Sequence, residues 1–425
     1  MLYYLTLLYI SIYYIRPFEW EGPLKGVPVF FVLGIICILA LATYWISGEL
    51  QQLKNRTDFM MVGFIMAIVL SHISHGWYGG VVESLMIFFP VIIGYYMIIN
   101  AVDSTEKINN FIILIILLSS FLAYEGCLQF QTGSSDGGMT PIIENNINTA
   151  TGAIDEIIRI RWFGVFNDPN DLGLALVLVL PFLLNMLLNK KYVLPVISLP
   201  LIMSAIYFTN SRGSVLAGVA GIFAYCVFRY KSKTGAILGA VIAILLFALG
   251  PSRMGELSVT ESSAYERLEA WDAGFQMFKA NALFGVGMGM FTEFNDLTAH
   301  NSYMLVLAEL GLFGTFCFVG LIYYPIKWTW HNLLFSRDVE LDDTERGVLC
   351  AIAGSLSGLL VAMFFLSRSY ILLPFMLIAL FMATVKAIDS KSVIPQASLG
   401  KDLKEIFLLT LLITAFINIL IKLLL

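Results

Sequence analysis

Apolar runs of about 18 to 22 residues recur along nearly the whole chain, each long enough to cross a hydrocarbon core of about 30 Å as a helix. This feature restricts the fold more than any motif, because in lipid the backbone must satisfy its own hydrogen bonds and only helices or closed barrels do so. Barrel strands would alternate apolar and polar residues over about ten positions, and these runs do not. The chain is therefore expected to be an all-α polytopic membrane protein with about 12 to 13 transmembrane helices. The predicted spans are roughly 1–15, 27–46, 59–75, 81–100, 108–128, 171–189, 192–209, 212–229, 234–250, 302–325, 346–366, 369–387 and 405–424. With 59% hydrophobic and 13% charged residues there is too little polar surface to cover a soluble core, so 1–425 is expected to be a single integral membrane domain. Met1 to Ile15 lacks the basic region and cleavage site of a signal peptide and is expected to be retained as the first span. All five cysteines (Cys37, Cys127, Cys226, Cys317, Cys350) fall in apolar runs, where a thiol packs as a small hydrophobe, so neither a disulfide nor a zinc framework follows.

Orientation follows from the basic residues. With a cytoplasmic N-terminus the inner connections hold most of them, among them Lys54, Arg56, Lys107, Lys190, Lys191, Lys231, Lys233 and Arg346, as positive charge retained on the inner side requires. The two longest connections, 129–170 and 251–301, are then outer loops, the second a long extracytoplasmic loop between spans nine and ten. The outer side keeps Arg16, Arg159, Arg161, Arg212, Arg253, Arg267 and Arg368. Arginine is the side chain suited to bidentate phosphate contact.

The first outer loop begins with a Gly/Ser/Thr/Asn-rich run, Thr132 to Thr151, that reads as flexible loop. It ends in Phe166-Asn167-Asp168-Pro169-Asn170-Asp171, where Asn170 or Asp171 suits the cap of the next helix. Arg212 stands in a tight outer hairpin, a position equally consistent with anchoring to headgroups. In the second loop Ser263-Ala264-Tyr265-Glu266 fits a capping box, and Leu268, Trp271, Phe275 and Phe278 recur at helical spacing with Arg267 one turn before Trp271.

Gly285-Val286-Gly287-Met288-Gly289 follows no strand, so it is not a dinucleotide fingerprint. It is expected to form a tight return toward span ten, with its backbone N–H groups a secondary anion contact. His72 and His75 lie three apart near Trp77 and Glu83, consistent with either a metal site or interfacial histidines. His300 stands at the head of span ten, where it is either a functional group or a cap. Glu309, about 13 Å deeper at 1.5 Å per residue, needs a partner, either an outer arginine or a polar group on a neighbouring helix. Glu19-Trp20-Glu21 is a weak imitation of the acidic metal motif of C-type glycosyltransferases. A Ser-His-Asp elbow, an HExxH motif and a P-loop are absent from the sequence.

Arg212-Gly213-Ser214-Val215-Leu216, Arg267 with Trp271, the run Asn281 to Gly289, and His300-Asn301-Ser302-Tyr303 leading into Leu307 to Gly314 together resemble the O-antigen ligase and O-antigen polymerase superfamily. Phe166 to Asn170 also resembles that family, and the likeness covers about residues 160–320. It implies a bacterial inner-membrane glycosyltransferase with its active site facing the periplasm. The enzyme would take a glycan from an undecaprenyl diphosphate carrier and join it to a glycan, lipid A core or protein acceptor, without a metal or other cofactor. Membrane lipids are expected partners and nucleic acid is not. By resemblance Arg212 and Arg267 stabilise the departing diphosphate, a task for charge-assisted bidentate hydrogen bonds. His300 is the expected general base, since arginine stays protonated. Arg161, Asn170, Arg253, Asn301, Tyr303 and Glu309 are the candidate substrate contacts. Ligase and polymerase are not separated by these motifs. The rival of another class, a transporter of lipid-linked glycan, would show internal repeats and midplane charges, and neither is evident.

Overall fold

The computed structural model describes residues 1–48, 56–147, 154–230, 233–248, 262–335, 341–388 and 398–425. Among these the helices are α1 Leu2–Ile15, α2 Val29–Ile46, α3 Arg56–Ile73, α4 Tyr78–Ala101, α5 Thr105–Thr132, α6 Pro169–Val177, α7 Leu180–Leu188, α8 Val193–Thr209 and α9 Arg212–Tyr230. They continue as α10 Lys233–Ala248, α11 Ser262–Ala280, α12 Phe291–Phe294, α13 Ser302–Trp328, α14 Asp343–Ala362, α15 Leu372–Ile388 and α16 Leu399–Leu424. Each predicted span coincides with one of them, except that 171–189 is the pair α6 and α7. Nine described stretches, counting α6 with α7 as one, are long and apolar enough to cross a membrane, and α1, α8 and α15 are shorter apolar helices. The protein is an all-α polytopic membrane protein. Helix starts fall outside the expected spans wherever the first turn is polar: Ser104 caps α5 by accepting from Lys107 N, and α16 begins at Leu399, before Lys401 and Lys404.

One segment departs from the expectation. The Thr132 to Thr151 stretch is not simply loop, because β1 Ile142–Ile147 pairs antiparallel with β2 Ile154–Arg159, Ile142 opposite Arg159 and Glu144 opposite Ile157. Each strand is too short and too polar for its hydropathy to stand out, and the pairing itself supplies the backbone partners. Residues 148–153 lie outside the described residues.

Burial identifies the centre. The apolar window of α13 is 83% buried, against 22% for α2 and for α16, so α13 runs through the bundle while the other two face the surroundings. α13 packs on α3 and α11, α15 on α4, and α9 on α14. The last contact is close because it is lined by small residues: a Cβ on Gly358 would lie 2.6 Å from Ala217 O, and one on Gly354 2.8 Å from Gly221 O. This seating fixes the head of α9, where Arg212 stands. At the end of the bundle away from His300, Arg56 and Lys327 both bind the buried Asp402 and tie α16 to α3 and α13.

α13 is interrupted at Gly311 (φ 63°, ψ −161°), and the glycine run fills the break. Val286 N donates to Ala308 O and Gly287 N to Glu309 O, while Leu312 N and Phe313 N donate to Ala282 O and Leu283 O. A break at membrane depth is tolerated where other protein groups satisfy the freed backbone. The N–H groups of Val286 and Gly287 are thus occupied, which corrects the expectation that this run offers them to an anion.

Candidate active site

His300 stands where the loop after α12 meets α11, the head of α13 and the connection that follows α14. It has left-handed backbone (φ 46°), a conformation costing about 1 to 3 kcal/mol outside glycine and persisting where surroundings enforce it. Three sets of bonds enforce it here. On its N-terminal side Trp271 of α11 donates from Nε1 to Ala299 O at 2.7 Å, and Thr298 Oγ1 bonds Ser367 Oγ at 3.0 Å. On its C-terminal side Asn301 caps α13, its Oδ1 accepting from Tyr303 N and Met304 N at 3.0 Å each. Ser302 is then stitched to the α14–α15 connection, 363–371: its N donates to Met363 O, its Oγ to Leu366 O, and it accepts from Arg368 N and Ser369 Oγ.

The same connection reaches the head of α6. Arg368 grips Asp171 through Nε and Nη2, and Asp171 is only 1% exposed. The cap of α6 is Asp168, whose carboxylate accepts from Asn170 N at 2.7 Å, with Pro169 at the first position of the helix. This corrects the expectation of Asn170 or Asp171: proline needs no hydrogen-bond partner at that position and sets the helical φ. Asn170 also donates to Asp168, accepts from Arg159 Nη2 at 3.3 Å, and through its carbonyl accepts from Ser214 Oγ of α9 at 3.3 Å. Arg212 is thereby held beside the α6 head, and Gly213 next to it packs on Phe365.

His300 feels Arg267, Asp168, Arg368 and Glu266. Burial is the largest influence on its imidazole and pulls its pKa below 6.5; Arg267 pulls the same way, and Asp168 opposes them. A group so placed is neutral at pH 7 and able to accept a proton. Arg267 lies one helical turn from Trp271, so the Trp271–Ala299 bond that anchors the loop also holds the arginine's helix near the ring.

The other candidates are placed as follows. Arg161 donates to Thr140 O at 2.9 Å and to Asn167 Oδ1 at 3.2 Å, at the base of the β ribbon. Tyr303 donates to Leu360 O at 2.9 Å, between α13 and α14. Glu309 is buried at the helix break, its Oε1 accepting from Phe291 N at 3.0 Å. The sequence allowed an outer arginine or a polar group on a neighbouring helix for Glu309; the structure supplies the latter, the backbone N–H of Phe291 in α12, with the half-buried Tyr370 beside the carboxylate. Arg253 and the side chain of Ser263 lie outside the described residues. His72 and His75 hold the glycine run: His75 Nε2 donates to Gly285 O at 2.9 Å, and His72 Nε2 bonds Ser84 Oγ, which donates to Met288 O. Among the described residues no group of three or more His, Cys, Asp or Glu is placed to hold a metal ion. Glu19 is ion-paired with Arg16.

Residues 196–319 match the family described as O-antigen ligase. That segment belongs to the O-antigen ligase and polymerase superfamily. It runs from α8 into α13 and contains Arg212, Arg267, His300, Asn301, Tyr303 and Glu309, whereas Asp168, Asp171 and Arg368 lie outside it. No curated protein matches the chain. At family level the O-antigen ligase match supports a membrane glycosyltransferase, a class that uses a lipid-linked glycan donor and a glycan acceptor. Sequence reasoning noted Arg368 only as an outer arginine and Asp168 and Asp171 only near a cap. Their signal was present, an arginine in a connection of a few residues and two acids within four positions, but nothing local joined them.

Proposed function

We propose that the protein transfers a glycan from an undecaprenyl diphosphate carrier to an acceptor hydroxyl on the outer face of the bacterial inner membrane. The observation that carries this reading is a half-buried histidine, kept neutral, beside Arg267 at the head of the central helix. In the reaction the acceptor oxygen attacks the anomeric carbon and gives its proton to His300. The bond from that carbon to the carrier's diphosphate oxygen breaks, and the diphosphate takes the electron pair. Arg212 and Arg267 stabilise that charge as it develops, a role that needs no metal ion. Arg161, Asn170, Arg253, Asn301, Tyr303 and Glu309 are the proposed substrate contacts. The distribution of Lys and Arg supports a cytoplasmic N-terminus and outer positions for 129–170 and 251–301.

The test is transfer by purified protein from a lipid-diphosphate donor, with lipid A core and then a second donor molecule as acceptor, so that the products separate ligase from polymerase. A general base contributes about 10² to 10⁴-fold, so His300→Ala should purify normally, bind donor and lose most transfer. Near-parental turnover in that variant would remove His300 from the mechanism. Transfer should survive EDTA; loss restored by Mg²⁺ would favour a metal-dependent route. Labelling of Ser263→Cys only from the cytoplasmic side would overturn the orientation.

A further inference from the structure

A small cavity with a polar wall on one side lies at the opposite end of the bundle from His300, where α5 begins, α7 ends and α14 begins. Its volume is about 60 Å³, room for about four to six water-sized groups at about 10 to 15 Å³ each, which is the size of one phosphate. Asn109, Asn185, Asn189, Lys191 and Thr344 form its polar wall, and no acidic side chain is among the described residues lining it. Ile112, Ile113 and Phe182 line its apolar side, and Ile113 lies on the outer surface of the bundle.

The donors in this wall are held open. α7 ends with Lys191 N bonded to Met186 O and Lys190 N to Leu187 O, the paired bonds of a Schellman cap, with Lys190 at φ 59° where glycine is usual. This arrangement fixes the backbone of Lys191 at the cavity rim. The Lys191 ammonium and the Asn109 amide have no hydrogen bond or ion pair with another described residue. Asn185 Oδ1 accepts from Tyr225 and from Asn189 Nδ2, which leaves its Nδ2 as a donor. The Asn189 amide is spent on Asn185, so the cavity offers one cation, the amide donors of Asn109 and Asn185, no acid among its described lining residues and an apolar side that reaches the outer surface, which matches a phosphate attached to an acyl chain.

We propose that this cavity binds the phosphate of an anionic membrane phospholipid, with Lys191 as its counter-charge, Asn109 as a donor, and the acyl chain along Ile112 and Ile113. The site is distinct from the His300 cluster.

The test is native mass spectrometry of the full chain released from detergent, after incubation with phosphatidylglycerol, with phosphatidylcholine or with inorganic phosphate. The expected result is a retained phosphatidylglycerol adduct that Lys191→Ala weakens by about 10- to 100-fold, the range for one charge-assisted hydrogen bond. Asn109→Leu should weaken it less, and the thermal midpoints of both variants should show folded protein. Binding of inorganic phosphate alone, with the same dependence on Lys191, would assign the anion site and refute the lipid as its source. Equal adducts in the parent and both variants, or no adduct with any probe, would overturn the proposal.

Discussion

Gly285 and Gly289 share a left-handed backbone but differ in surroundings, which makes them a controlled comparison of what the glycine run does. At Gly285 (φ 70°) an added Cβ would lie 2.2 Å from the backbone carbon of Glu309, 2.3 Å from its oxygen and 2.4 Å from Leu310 N. Backbone cannot swing aside as a side chain does, so the run must lift out of the break in α13. At Gly289 (φ 81°) the added Cβ meets nothing within 4 Å. Alanine in left-handed backbone costs about 1 to 2 kcal/mol, and that is the whole expected effect of Gly289→Ala. Gly285→Ala adds the weakening of the two adjoining bonds, Val286 N to Ala308 O and Gly287 N to Glu309 O, at about 0.5 to 1.5 kcal/mol each, for about 2 to 5 kcal/mol altogether. The assay is unfolding of detergent-purified variants alongside transfer per folded molecule. Gly285→Ala should lose more stability and also turnover, because the lifted run no longer presents Phe291 N to Glu309 and the chain leading to His300 is displaced. Equal losses in the two variants would refute the claim that the run is seated in the break.

Three further outcomes are expected. Lysine should replace neither Arg212 nor Arg267 in transfer assays, since it lacks the planar fork; an Arg212→Lys variant with full turnover would return that residue to headgroup anchoring. The acid limb of kcat/KM should have its midpoint below 6.5, because burial and then Arg267 depress the His300 pKa; Arg267→Gln should move the limb to higher pH and Asp168→Asn to lower pH. The same depression means that this residue's contribution to stability is full above the unfolded value of about 6.5 and is lost as pH falls through the folded value, which a pH series of unfolding midpoints checks. Finally, Arg368→Ala should destabilise by about 3 to 5 kcal/mol, because it leaves a buried carboxylate unpaired. Asp171→Asn should cost about 1 to 3 kcal/mol, since the Arg368 side chain is 34% exposed and keeps water; denaturant titration giving the reverse order would contradict the assigned burial.

The spans were legible because each is a local property of about twenty residues, and the motifs around Arg212, Arg267 and His300 were legible because each is contiguous. What the chain does with them depends on pairings no window contains. Arg368 and Asp171 are 197 residues apart, and His75 and Gly285 are 210 apart. By spacing alone His72 and His75 were consistent with either a metal site or interfacial histidines; their partners are a serine and a backbone carbonyl. The glycine run was misjudged for a related reason. Left-handed glycines do form compact turns with free N–H groups, but the sequence does not show that a second segment lacks hydrogen bonds at the matching positions. That second segment is announced only by Gly311, a single glycine within a helical pattern, which ordinarily costs about 1 kcal/mol and is otherwise unremarked. Here an added Cβ on Gly311 would lie 2.5 Å from Leu283 C and 2.7 Å from Gly285 N. The two glycines are therefore one requirement: a side chain at either position closes the same gap. Substituting either one should disturb the loop that delivers His300.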